Sequence, residues 1–336
     1  MKRCIRQLIG ITVLLAVIMM IAFPFNACAA KAKDTIRFMD LSWDSIQVHN
    51  RIAGFIIENG YGYDVEYIPG ETIPLFTGLM RDNVDVDMES WTENIQEVYD
   101  KGISSGKVLD LGSNYPDSWQ GWLVPTFVIK GDPKRGIKPM APGLKSVSDL
   151  AKYWEVFKDP ENPDKGRFYN SIPGWKVTEV NSTKLKAYGL DKYYEDFLPG
   201  SDAALSGSMV AAIKKGKPWM GYYWAPTWIL GKLDMTALEE PSFDQKIWDT
   251  TKACAFKSVQ VNILVNSTLT KRAPDVVKFF RNYETTTALN NKFLSYIRQT
   301  KASTEDAAIW FLKNYEDLWI AWVPADVAKK VKAAMK

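Results

Sequence analysis

From Thr35 to Trp91 short segments of period two alternate with longer segments of helical period, and this alternation most restricts the fold. Thr35 to Asp40 alternates apolar and polar residues as a strand does. A helix follows through Glu58, with Asp44 or Ser45 as its N-cap. Val65 to Ile68 reads as a second strand, Ile73 to Arg81 as a helix, and Val84 to Met88 as a third strand ending at Trp91. Strands separated by helices require crossover connections and a parallel sheet. The pattern resumes further on. Val108–Leu111, Phe127–Ile129, Arg167–Ile172, Trp219–Tyr223 and Ser258–Val265 read as strands. Thr178–Tyr188 and Ser206–Lys215 read as helices, and from Pro274 the chain is helix-dominated. A chain of about 300 residues commonly divides into two domains.

Residues 1–29 carry a different signal. Lys2, Arg3 and Arg6 precede an uncharged apolar run from Leu8 to Phe23, and Ala27-Cys28-Ala29 is a small-residue cleavage site. These are the parts of a secretory signal peptide cleaved after Ala29. The alternatives are an uncleaved anchor and lipidation of Cys28. The expected location is periplasmic or otherwise extracytoplasmic. The chain has 42 Lys and Arg against 39 Asp and Glu, and its excess of three is the Lys2, Arg3 and Arg6 of the leader. The remainder is neutral and gives no reason to invoke nucleic acid or an anionic membrane. Of three cysteines only Cys254 lies outside 1–29, so no disulfide is expected.

The motifs exclude more chemistry than they suggest. One histidine, His49, and one cysteine beyond the leader leave no His/Cys metal cluster. There is no Walker loop or Gly-x-Gly-x-x-Gly. Asp85, Asp87 and Glu89 share one side of a strand, which reads as a solvated or helix-capping side. Neither an enzyme nor a cofactor is expected. The 13 tryptophans point elsewhere. Trp43 and Trp91 follow strands, Trp175 follows a Pro-Gly turn before a helix, Trp224 lies at a strand end, and Trp122 sits near an expected domain crossing. Indole faces bind a permethylated ammonium, which has no ordinary hydrogen bond to offer. Each contributes roughly 0.5–2 kcal/mol, and three or four with modest help approach the about 8 kcal/mol of micromolar binding. Lys176 and Val177 open a helix, where free amides bind an anion. A cation box beside a carboxylate-binding helix start describes a betaine.

Ser90-Trp91-Thr92, Pro173-Gly174-Trp175 and the run Tyr223 to Trp228 (YWAPTW) resemble the extracytoplasmic glycine betaine/choline/carnitine-binding proteins of ABC importers, over nearly the whole chain beyond the leader. The resemblance implies an α/β fold of the type II periplasmic-binding class: two lobes, two crossovers, ligand in the cleft. Lobe I would comprise 34–125 with 256–336, and lobe II 126–255. It implies a betaine box of Trp91, Trp175 and Trp224, with the carboxylate on the amides of Lys176 and Val177. It also implies a choline-type set of Trp43, Trp91, Trp122 and Trp224. Asp44 would accept a ligand hydroxyl or cap its helix. An asparagine that choline binders place at 175 is missing, which favours a betaine, and so is a histidine that some betaine binders carry at 227. The implied partners are a small quaternary amine and a membrane-embedded ABC permease, the protein itself being a monomer. Another amine, a sensor without transport, or a carbohydrate-binding protein remain as alternatives.

Overall fold

The computed structural model describes residues 34–336 except 231, 258 and 259. The expected signal peptide and Cys28 lie outside the described residues. The chain forms β1 (Thr35–Asp40), α1 (Asp44–Ile56), β2 (Asp64–Pro69), α2 (Thr72–Met80), β3 (Val86–Ser90), α3 (Gln96–Ser104), β4 (Val108–Tyr115) and β5 (Trp119–Pro125). It continues through β6 (Gly166–Tyr169), α4 (Lys176–Ala187), β7 (Tyr194–Phe197), α5 (Asp202–Lys214), β8 (Gly221–Ala225), β9 (Met235–Ala237) and β10 (Val261–Asn266). Helices α6 (Pro274–Asn282), α7 (Thr287–Thr300), α8 (Thr304–Asn314) and α9 (Ala325–Ala334) complete it.

Two five-stranded mixed sheets result, ordered β2-β1-β3-β10-β4 and β7-β6-β8-β5-β9. In the first, β1 is parallel to β2 and β3, while β10 runs antiparallel between β3 and β4. In the second, β6 is parallel to β7 and β8, and β5 is antiparallel to β8 and β9. The chain passes between sheets at 116–118 and returns before Val261. Strand β5 corrects the lobe boundary drawn at 125. Trp122 faces Tyr222 across the β5–β8 ladder, so 119–125 belong to the second sheet. Apolar alternation alone could not tell which sheet this strand would join. Strand β8 is also two residues later than expected, and it contains Trp224.

The elements follow from local chemistry. Helix α8 opens on a capping box in which Ser303 and Asp306 satisfy each other's backbone amides. Helix α6 has its proline in the first turn, where a missing amide costs nothing. Gly174 has a φ of 92°, and an added Cβ would meet the Glu71 carboxylate at 1.9 Å, so the Pro-Gly turn before α4 needs its glycine. One face of the first sheet is buried under α1 and the C-terminal helices, with Phe38, Ile52, Phe280 and Phe311 at its centre. His49 belongs to this core. Its Nδ1 lies 2.8 Å from the Tyr283 hydroxyl, and burial pushes its pKa down to about 3.

The acidic strand does not face solvent. Asp85, Asp87 and Glu89 are all buried. Asp85 is clamped by Arg37 at 3.0 Å and Arg272 at 2.8 Å, which ties the edge of β1 to the start of α6. The expectation of a solvated side fails because β3 is interior, between β1 and β10. A second buried ion pair, Lys184 with Glu240, fastens α4 to the returning segment, where the same ammonium donates to the Cys254 carbonyl.

Candidate functional site

Four indoles converge on one cavity between the sheets, whose empty space is about 480 Å³. Trp43 follows β1 and Trp91 follows β3, both at carboxyl ends of parallel strands, where side chains are free of the ladder. Trp175 is the N-cap residue of α4, and Trp224 lies within β8. Each is less than one-tenth exposed. The Trp175 ring stands edge-on to Trp43 at 5.1 Å and 74°, and to Trp224 at 5.1 Å and 80°. Tyr222 stacks on Trp224 at 6.0 Å and 19° and lines the same space. The indole N–H of Trp175 reaches across to the Ser42 hydroxyl at 2.8 Å, so residues beyond the two sheets already touch.

The floor carries a carboxyl group that sequence reasoning missed. Glu89 Oε1 accepts from the indole of Trp43 at 2.7 Å, the Ser45 hydroxyl at 2.9 Å and the indole of Trp91 at 3.2 Å. Its Oε2 has no hydrogen-bond partner among the described residues. The Tyr115 hydroxyl lies beside this carboxyl without completing a hydrogen bond. Burial raises the Glu89 pKa to about 7, against the pull of those three donors and of the nearby Tyr115 hydroxyl. The signal available in the sequence was its place two residues before Trp91, on a strand that topology makes interior. Leu41, Asp87, Ser90 and Tyr222 were missed for the same reason. Asp87 accepts from the Glu89 amide at 3.1 Å, and burial raises its pKa to about 6.

Lys176 and Val177 also line the cavity. They occupy the first turn of α4, where amides have no carbonyl one turn back to bond. The Lys176 ammonium is engaged by Glu179. Two other expected residues stand elsewhere. Trp122 is fully buried in the second lobe, packed on Phe168 at 4.4 Å, with its indole donating to Asn181 at 2.9 Å. It points into the core because β5 presents it to α4 and not to the cleft. Asp44 neither lines the cage nor caps α1. Trp43 holds the N-cap position and Asp44 is the first helical residue, turned into a smaller neighbouring cavity.

The site can enclose a cation on aromatic faces, meet it with a buried carboxyl, and offer first-turn amides to an anionic group. Among the described residues no cluster of three or more His, Cys, Asp or Glu could hold a metal, and no helix is long and apolar enough to cross a membrane.

Residues 34–314 match a family model described as the substrate-binding domain of an ABC-type glycine betaine transport system, OpuAC. The trimethylamine N-oxide-binding protein of Pelagibacter ubique (strain HTCC1062) is 21% identical over 306 residues, covering 90% of this chain and 95% of that protein. Among solved structures, the glycine betaine/L-proline-binding protein ProX of Borrelia burgdorferi superposes with a TM-score of 0.72 at 20% identity, covering 88% of this chain and 99% of that one. A choline-binding protein in complex with choline gives 0.72 at 19%, covering 90% and 98%. Lactococcal OpuAC, closed on glycine betaine, gives 0.68 at 19%, covering 87% and 100%.

Proposed function

The chain belongs to the OpuAC family of ABC-transporter substrate-binding domains, and from that premise we propose that it binds a fully methylated ammonium compound, glycine betaine first among them, and delivers it to a membrane-embedded permease. The observation that carries this is the convergence of Trp43, Trp91, Trp175 and Trp224 on one cavity. Indole faces at right angles surround a charge that has no hydrogen bonds to give. The amides of Lys176 and Val177 receive the ligand's carboxylate at the positive end of α4. Binding across the seam favours the closed form, the form a permease distinguishes. An extracytoplasmic address follows from the leader read in residues 1–29, and the protein acts as a carrier, not a catalyst.

Glu89 favours a second reading. A buried carboxyl with one free oxygen and a pKa near 7 suits a ligand whose polar group accepts a proton, as the oxygen of a trimethylamine N-oxide does. The relative from Pelagibacter ubique is a binder of that compound. Titrating tryptophan fluorescence with glycine betaine, choline, carnitine and trimethylamine N-oxide tests both readings. Saturation at micromolar concentration by a trimethylated compound, and not by its unmethylated analogue, is expected. Saturation by oligosaccharides, or by none of the amines, would overturn the assignment.

A further inference from the structure

Behind the cage wall lies a smaller cavity of about 250 Å³ that shares the indoles of Trp43 and Trp224. Its polar lining is Asp44 and Ser45 from the first lobe and Asp202 and Thr227 from the second, with no Lys, Arg or His. Asp44 and Asp202 are each the first residue of a 13-residue helix. A helix start supplies about half a positive charge. Two carboxylates facing two such ends leave about one negative charge uncompensated. Thr227 is 6% exposed, and its hydroxyl has no hydrogen-bond partner. Asp202 Oδ1 has none either, while the Ser45 hydroxyl is committed to Glu89. From the other elements, the charged and titratable groups are Tyr223 on β8 and Arg298 on α7. Burial holds the Tyr223 phenol well above its ordinary range and therefore neutral. The Arg298 guanidinium sits over the Trp228 ring, 4.7 Å from its centre.

We propose that closure of the lobes captures one monovalent cation, a proton or an alkali-metal ion, between Asp44 and Asp202, at a site separate from the cage. An unpaired negative charge held half-buried against aromatic rings is costly. In the open form each carboxylate returns to water and the site dissolves. Closure therefore carries a requirement that ligand contacts alone do not meet. The direction of titration agrees. Burial first, and then the charge of Asp44, raises the Asp202 pKa to about 7, and burial raises that of Asp44. Between the ordinary carboxylate value and pH about 7 the closed form keeps a proton that the open form releases. The seam's own contribution to affinity then falls up to about tenfold per pH unit as pH rises to 7, and is flat above.

The inference rests on lobe closure and uses methylated amines only to close the cleft. Calorimetric titration of the chain from residue 30 with glycine betaine and with trimethylamine N-oxide measures it. The titration is run in two buffers of different ionisation heat, with and without sodium at constant ionic strength. Asp202→Asn is compared with wild type, and Asp44→Asn serves if the first variant folds poorly. The difference between wild type and variant isolates the seam from Glu89, which releases a proton when a cation arrives. Additional proton uptake by the wild type supports the proposal with a proton as the cation. Sodium-dependent tightening, lost in the variant, supports it with an alkali ion. Identical proton and sodium linkage in both proteins overturns it. If neither amine binds, the ligand reading fails. Melting temperature against pH and sodium then judges the seam, where parallel curves for wild type and Asp202→Asn overturn the proposal.

Discussion

On the floor of the cleft, one oxygen of Glu89 takes three donors and the other takes none. That asymmetry makes Glu89 the residue whose substitution says most about the ligand. An N-oxide accepts from the protonated carboxyl, so its affinity drops about tenfold per pH unit above 7. Glu89→Gln keeps a donor at every pH and flattens that dependence. A betaine instead draws on the ionised carboxylate. The contribution of Glu89 to its affinity rises with pH up to 7, opposite in sign to that of the Asp44–Asp202 seam, and Glu89→Gln removes it. The difference between the isotherms of wild type and variant, in which the seam's contribution cancels, separates the two by sign between pH about 6 and about 8. The indoles give a simpler outcome. Trp91→Ala and Trp224→Ala each lose a face worth roughly 1–2 kcal/mol, about tenfold in Kd, with the melting transition nearly kept. Trp122→Ala does the reverse. It empties a fully buried site, destabilises by about 3–5 kcal/mol in denaturant titration, and leaves ligand preference alone.

Helix α4 separates what an element contributes from what its side chains contribute. Lys176 is its first residue, and Trp175 before it has ψ 131°, an extended conformation that accepts a following proline. Lys176→Pro therefore deletes one amide donor while preserving the helix. Glycine betaine should lose roughly tenfold in affinity, the worth of one hydrogen bond to a charged group. Choline, lacking a carboxylate, should be unaffected. Lys176→Ala should change neither, and calorimetry with both ligands checks the set. Elements of this kind were legible in the sequence. Pro173-Gly174 before α4 and the Ser303 box before α8 are local signals, and both lie where turn and cap chemistry put them. The aromatic positions following strands were legible too, because an indole after a parallel strand has few places to go. Glu89 and Trp122 were not. Whether an acid on β3 is wet or buried depends on β10, which arrives some 170 residues later in the chain to cover it. Likewise, whether Trp122 meets the cleft or the core depends on which sheet recruits β5.

At the scale of the whole molecule the question is what holds two lobes together. Among the described residues, polar ties across the seam are Trp175 to Ser42 at 2.8 Å and Asn94 with Gln120 at 3.3 Å. Each such bond is worth about 1 kcal/mol. Against them stand carboxyl groups that burial pushes up, Glu89, Glu93 and Asp202, each to about 7. A group with a raised pKa favours the state that buries it only while protonated, so its contribution is complete at low pH and is lost as pH rises through 7. Closure without ligand is thus weakest above neutrality, where a ligand's fixed positive charge replaces the missing proton. Small-angle scattering of the ligand-free protein should show contraction as pH falls from about 8 to about 6, on the acid side of those pKa values. Saturating ligand should produce the contracted form at both. At a hundred times Kd the ligand should also add about 2.7 kcal/mol to stability. A radius of gyration that ignores pH would mean that the carboxyls are equally buried in both forms, and that closure draws its energy from the indoles alone.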